Sequence, residues 1–122
     1  MIQVLLVEDD VILLEDYVFN LEMNGYEVAQ AINGQEAVNF LTEAARPPDI
    51  IVSDMMMPFV DGLQLLAHVR QTPVLSKVPF IFITAINADN SRNEAEALGI
   101  NDYLIKPFSI GKLVEAIKKA TT

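Results

Sequence analysis

The chain has 122 residues, 52% of them hydrophobic and 20% charged, which fits one globular domain with a core and excludes a disordered segment. It carries no cysteine and one histidine, so zinc, haem and iron–sulfur centres lack ligands, and a reducing compartment such as the cytoplasm is expected. With 17 acidic residues against 8 basic ones the net charge is −9, a surface that repels nucleic acid and anionic membrane.

No apolar run approaches the roughly 18 residues of a membrane span, and neither a leader nor a lipidation motif stands in the sequence. No membrane partner and no direct nucleic-acid binding are therefore expected. Strand 2–7 is apolar on both faces and runs into Glu8-Asp9-Asp10. Helix 10–23 follows, with Val11, Leu14, Val18 and Leu21 spaced as a core-facing stripe and Gly25 placed for a left-handed C-cap. Strand 27–31 is the most polar of the strands, as an edge strand would be. Asn33-Gly34 is read as a strand-to-helix turn and not a hairpin, because Ala37, Leu41 and Ala45 recur at helical spacing over helix 35–45. Arg46-Pro47-Pro48 stops that helix.

Strand 49–53 is a second doubly apolar run, ending at Asp54 and followed by Met55-Met56-Met57-Pro58. Helix 62–71 carries His68, read as a surface residue away from the strand ends. Strand 79–84 ends in Thr84-Ala85, helix 90–98 is closed by Gly99, and strand 102–105 runs into Lys106-Pro107. Helix 109–120 presents Ile110, Leu113, Val114 and Ile117 as its apolar stripe. Alternating strands and helices of these lengths predict an α/β, doubly wound, flavodoxin-like five-stranded parallel sheet of order 2-1-3-4-5, with five helices on two faces. In such sheets ligands bind beyond the C-terminal strand ends, at the switch point between strands 1 and 3.

That edge collects Glu8, Asp9, Asp54, Thr84 and Lys106. A carboxylate at the end of a buried strand is costly to desolvate unless its charge is used. Asp9 and Asp54 are candidate direct ligands of a hard cation such as Mg2+ (Mn2+ substituting), Glu8 a direct or water-mediated one, and a carbonyl of the 55–57 loop a fourth oxygen. Asp10 is assigned as the cap of the first helix. A cation offsets the repulsion among the acids, a carboxylate oxygen of Asp54 can then attack phosphorus, and the Lys106 ammonium and Thr84 hydroxyl would stabilise the phosphoryl charge.

Val7-Glu8-Asp9, Asp54 with Pro58 and Asp61-Gly62, Thr84-Ala85, and Lys106-Pro107-Phe108, in that order over essentially the whole chain, resemble the receiver domains of two-component response regulators. The resemblance implies one receiver domain over 1–122, Asp54 as phosphoacceptor, Glu8 and Asp9 as the acidic pair, and the Met56 carbonyl as backbone metal ligand. It implies Thr84 as switch hydroxyl, Tyr103 as switch aromatic, Lys106 as phosphoryl partner, and a cis Lys106-Pro107 peptide. The phosphoryl would come from a histidine kinase or histidine phosphotransfer protein. The output would be a changed surface of helix 4, strand 5 and helix 5 for a downstream protein. The domain is thus a signalling module, not a conventional enzyme, although it would catalyse its own phosphorylation and dephosphorylation. No member of the set is missing, which argues against a degenerate, unphosphorylated receiver. Met56 and Ile86 are expected to flank the pocket mouth and to restrict water there.

Three other functions compete with that reading. A flavin carrier needs a phosphate-cradling loop where this chain has three acids. An aspartyl-phosphate phosphatase needs a second Asp where Met56 stands. A receiver-fold scaffold without chemistry is separated only by a phosphorylation assay. With no output module after residue 122, a stand-alone receiver acting by protein contact is expected, a piece of a longer regulator being the alternative.

Overall fold

The computed structural model describes residues 1–85 and 89–122, with the side chains of 89–91 left out. The strands are β1 (Gln3–Val7), β2 (Glu27–Ala31), β3 (Ile50–Asp54), β4 (Phe80–Thr84) and β5 (Asp102–Ile105). The helices are α1 (Val11–Met23), α2 (Gly34–Glu43), α3 (Gly62–Gln71), α4 (Asp89–Leu98) and α5 (Ile110–Ala120). All strand pairs are parallel and the order is β2-β1-β3-β4-β5, as predicted.

Strand alternation sorts side chains into two layers. Val4, Leu6, Ile50, Val52, Ile81, Ile83 and Leu104 pack with α1 and α5, while Leu5, Val7, Ile51, Phe80, Phe82 and Tyr103 pack with α2, α3 and Ala95 of α4. β1, β3 and β4 are buried on both faces because helices cover both, which is why they read as continuous apolar runs. Burying each such Leu, Ile or Phe contributes about 1.5–3 kcal/mol. β2 is the more exposed edge, as its polarity predicts.

Local signals account for the helix ends. Asp10 caps α1 by accepting from the Ile12 and Leu13 N–H groups, and Asn33 caps α2 by accepting from Glu36. Gly25 and Gly99 take φ of +90° and +92° after α1 and α4, where a Cβ would be strained. Three expectations need correction. Val11 is 52% exposed, because as the first residue of α1 it stands level with the strand ends; the buried face is Leu14, Tyr17, Val18 and Leu21. Helix α2 ends at Glu43, with Ala44 already extended, so Ala45 is exposed and not part of the stripe. His68 is half-buried rather than a surface residue. Ile86 lies outside the described residues.

Candidate functional site

Parallel strands in register end together, so one edge of the sheet receives the residues that follow each strand. Val7 pairs Ser53, Asp54 pairs Ile83, and Thr84 pairs Ile105. Asp54 has the parity of Ile50 and Val52 and so points to the α1–α5 side of the sheet, while Thr84 has the parity of Phe80 and Phe82 and points to the other.

Glu8 is wholly buried, Asp54 6% exposed, and Thr84 1% exposed, whereas Asp9 is exposed. The ligand oxygens of Glu8, Asp9 and Asp54 lie within 4.8 Å of one another. Lys106 Nζ donates to Glu8 Oε1 and, at 3.2 Å, to Asp54 Oδ2. The Asp10 N–H donates to Glu8 Oε2 at 3.1 Å, and the Lys106 backbone N–H donates to the Thr84 carbonyl at 2.7 Å. Met56 gives its N–H to Asp54 Oδ1 at 3.3 Å and leaves its side chain 60% exposed.

The loop after Asp54 is braced at both ends. The Met55 N–H reaches the Ile83 carbonyl at 3.3 Å, and the Gly62 N–H reaches the Met55 carbonyl at 2.9 Å. Asp61 caps α3 in a reciprocal box with Gln64. Between them Phe59 takes φ of +69° with its ring 83% exposed, so no burial offsets the cost of its left-handed backbone. The Lys106-Pro107 peptide is cis, as the resemblance implied.

Tyr103 is buried, meets Phe82 edge-on with ring centroids 6.3 Å apart, and lies under the Arg92 guanidinium at 5.0 Å. Arg92 in turn pairs with Glu96 at 3.1 Å. Nothing in the sequence reading singled out Arg92; its i,i+4 spacing to Glu96 on α4 was the available signal. Tyr17 and its stack on Phe108 were missed as well.

Burial lifts the Glu8 carboxyl to about 7 from the ordinary 4.5, against the opposing pull of Lys106 and the Asp10 N–H, with Asp54 adding to the rise. For Lys106 burial works downward, but its bonds to Glu8 and the Asp54 charge leave the ammonium above its ordinary value. Because the folded pKa of Glu8 exceeds the unfolded one, its contribution to stability is full below pH 4.5 and is lost as pH rises through about 7. Metal-free protein should therefore lose up to about 3 kcal/mol from this group between those limits. Urea unfolding in chelator across that range should show the loss in the wild type and a flatter profile in Glu8→Gln. Equal slopes in both proteins would remove Glu8 as its source.

The acids, the ammonium and the hydroxyl are all present at one sheet edge, and the donor set for a cation is oxygen only, which suits Mg2+ or Mn2+. Residues 4–118 match the family model of the response regulator receiver domain. The chain is similar to the phosphate regulon transcriptional regulatory protein PhoB of Rhizobium meliloti (strain 1021), with 36% identity over 116 residues, 95% of this chain and 50% of the relative. It is also similar to the transcriptional regulatory protein TrcR of Mycobacterium tuberculosis, with 37% identity over 117 residues, 96% of this chain and 44% of the relative. The chain thus spans about half the length of the curated relatives it matches. Among solved structures, chemotaxis response regulator CheY4 of Vibrio cholerae superposes with a TM-score of 0.89 at 28% identity, covering 98% of each chain. A DNA-binding response regulator of the LuxR family from Staphylococcus aureus gives 0.91 at 27% identity over 100% of both chains.

Proposed function

Because the chain belongs to the response regulator receiver family, we propose that Asp54 accepts a phosphoryl group from a histidine kinase or a histidine phosphotransfer protein. The observation that carries this is one ammonium bonded to two strand-end carboxylates, with a third, exposed carboxylate beside them. An oxygen of Asp54 attacks phosphorus, the bond to the donor breaks, and the donor nitrogen leaves with the electron pair. Asp9 and Asp54, with Glu8 and the Met56 carbonyl, are the residues that would hold Mg2+, which when bound neutralises developing phosphoryl charge. Lys106 supplies fixed positive charge and Thr84 a hydroxyl donor. The domain works at its own Asp54 and turns over no separate substrate.

The output in this reading is a surface. Thr84 and Tyr103 share one layer of the sheet, and Tyr103 sits between β4 and α4. A Thr84 hydroxyl drawn to the phosphoryl changes the packing against Tyr103, and α4, β5 and α5 then present a different face to a downstream protein. A difference of a few kcal/mol between the two arrangements is enough for one charge-assisted bond to shift the population. Among the described residues no helix is long and apolar enough to cross a membrane. A cytoplasmic setting, contact with proteins, and no direct contact of this domain with DNA belong to the same proposal.

Acetyl phosphate with Mg2+ should give one hydroxylamine-labile phosphoryl on Asp54, lost in Asp54→Asn and in chelator. Chelation should leave the fold intact, because the ligating oxygens lie at the sheet edge. Thr84→Ala should still label while amide shifts across β5 and α5 no longer respond. Equal labelling of Asp54→Asn would end the assignment.

A further inference from the structure

The loop that presents Lys106 is short, running from the end of β5 to Ser109, the cap of α5. Its strand side is tied by the Lys106 N–H to the Thr84 carbonyl at 2.7 Å. Pro107 has no N–H to anchor the next step. The next residue, Phe108, is half-buried and lies stacked on Tyr17 of α1, with centroids 5.5 Å apart and planes 19° from parallel. We infer that Tyr17 is a positioning residue, whose ring, through Phe108, fixes this loop and so aims the Lys106 ammonium at Glu8 and Asp54.

The rest of α1 supports that role. Its capping residue gives its N–H to Glu8 Oε2 at 3.1 Å, and Tyr17 follows seven residues on, about 10 Å along the axis. One helix therefore braces both the acidic loop and the lysine loop. Tyr17 is buried in the layer that also contains β1, β3 and α5 residues, the side of the sheet to which Asp54 points. Burial raises its phenol above the ordinary value, and the charges of Lys106, Glu8, Asp16 and Asp54 act on it as well. A leucine there would keep a buried apolar group but offer Phe108 no flat partner.

The inference rests on the phosphoacceptor reading. The test compares phosphorylation rates from acetyl phosphate at saturating Mg2+ in wild type, Tyr17→Leu, Tyr17→Phe and Val18→Ala, with melting temperatures alongside. A second readout is the Lys106 Hε pair in carbon-labelled protein without phosphodonor, two distinct signals when the ammonium is held and one averaged signal when it is free. Tyr17→Leu should label about tenfold more slowly, as a displaced catalytic group would, and should merge the Hε pair. Tyr17→Phe should restore both. Val18→Ala, a buried neighbour on the same helix, should be destabilised yet keep the wild-type rate. A wild-type rate in Tyr17→Leu, an unmerged Hε pair, or equal slowing in Val18→Ala would overturn the role. A wild type that takes no phosphoryl would refute the phosphoacceptor reading instead, with the Hε pair still deciding the stack.

Discussion

Lys106→Ala should lose about 100-fold or more in phosphorylation rate while binding Mg2+ more tightly than the wild type. In the phosphoacceptor reading the first effect follows from removing a fixed donor aimed at the charge that develops in transfer. The second follows from sign. The ammonium sits against Glu8 and Asp54, so it repels an incoming cation and competes for the same oxygens. In chelator at pH 8 the variant should also be less stable by about 3 kcal/mol, since deleting one partner strands a buried charge. For a domain of this size that is roughly a 10 °C fall in Tm. Acidification should shrink the loss, because Glu8, already raised to about 7, then stays protonated and leaves no stranded charge. Mg2+ titrations followed by amide shifts, and melts at pH 5.5 and 8, check each part. Weaker Mg2+ binding in the variant would show that Lys106 organises the acids rather than opposing the ion.

The sheet and the edge it presents were legible because their signals are local and redundant. An apolar run that ends in Asp54, Thr84 or Lys106 marks both a strand and its polar end, and parallel pairing then brings those ends together. The face of α1 was less legible. Val11, Ile12, Phe19 and Met23 are exposed while Leu14, Val18 and Leu21 are buried, so apolar residues lie on both sides and periodicity does not single out the buried one. The end of α2 was misplaced because Pro47 sets only a latest stopping point, and the chain leaves the helix at Ala44 to reach β3.

Contacts that helix side chains make with residues distant in sequence were not legible. Nothing in the order of residues states that Arg92 covers Tyr103 or that Tyr17 meets Phe108. An arginine on a polar helix and a tyrosine on an apolar one carry no mark of their partners. These pairs come from how α4 and α1 seat on the sheet, a packing outcome that strand and helix periods leave open.

Gly62→Ala should destabilise the protein by about 2–4 kcal/mol and slow phosphorylation about 100-fold, against the usual helix preference of about 1 kcal/mol for alanine. Steric contact decides the sign. A Cβ on Gly62 would stand 2.6 Å from the Asp54 carbonyl oxygen, 2.6 Å from Phe82 Cε1 and 2.8 Å from Met55 Cα. Two of those atoms are backbone, so relief requires moving the turn that carries Asp54, or withdrawing α3 from it. Either motion strains the hydrogen bond from the Gly62 N–H to the Met55 carbonyl, 2.9 Å between nitrogen and oxygen, and shifts Asp54 relative to Lys106. Gly111 provides the comparison, because near the start of α5 its added Cβ would have Ser109 Oγ at 4.0 Å as nearest neighbour. Gly111→Ala should therefore follow the propensity rule and gain up to about 1 kcal/mol with its phosphorylation rate unchanged. Urea unfolding of the two variants, with acetyl phosphate kinetics on each, separates propensity from space. A Gly62→Ala protein as stable as Gly111→Ala would mean that the turn after Asp54 yields without cost.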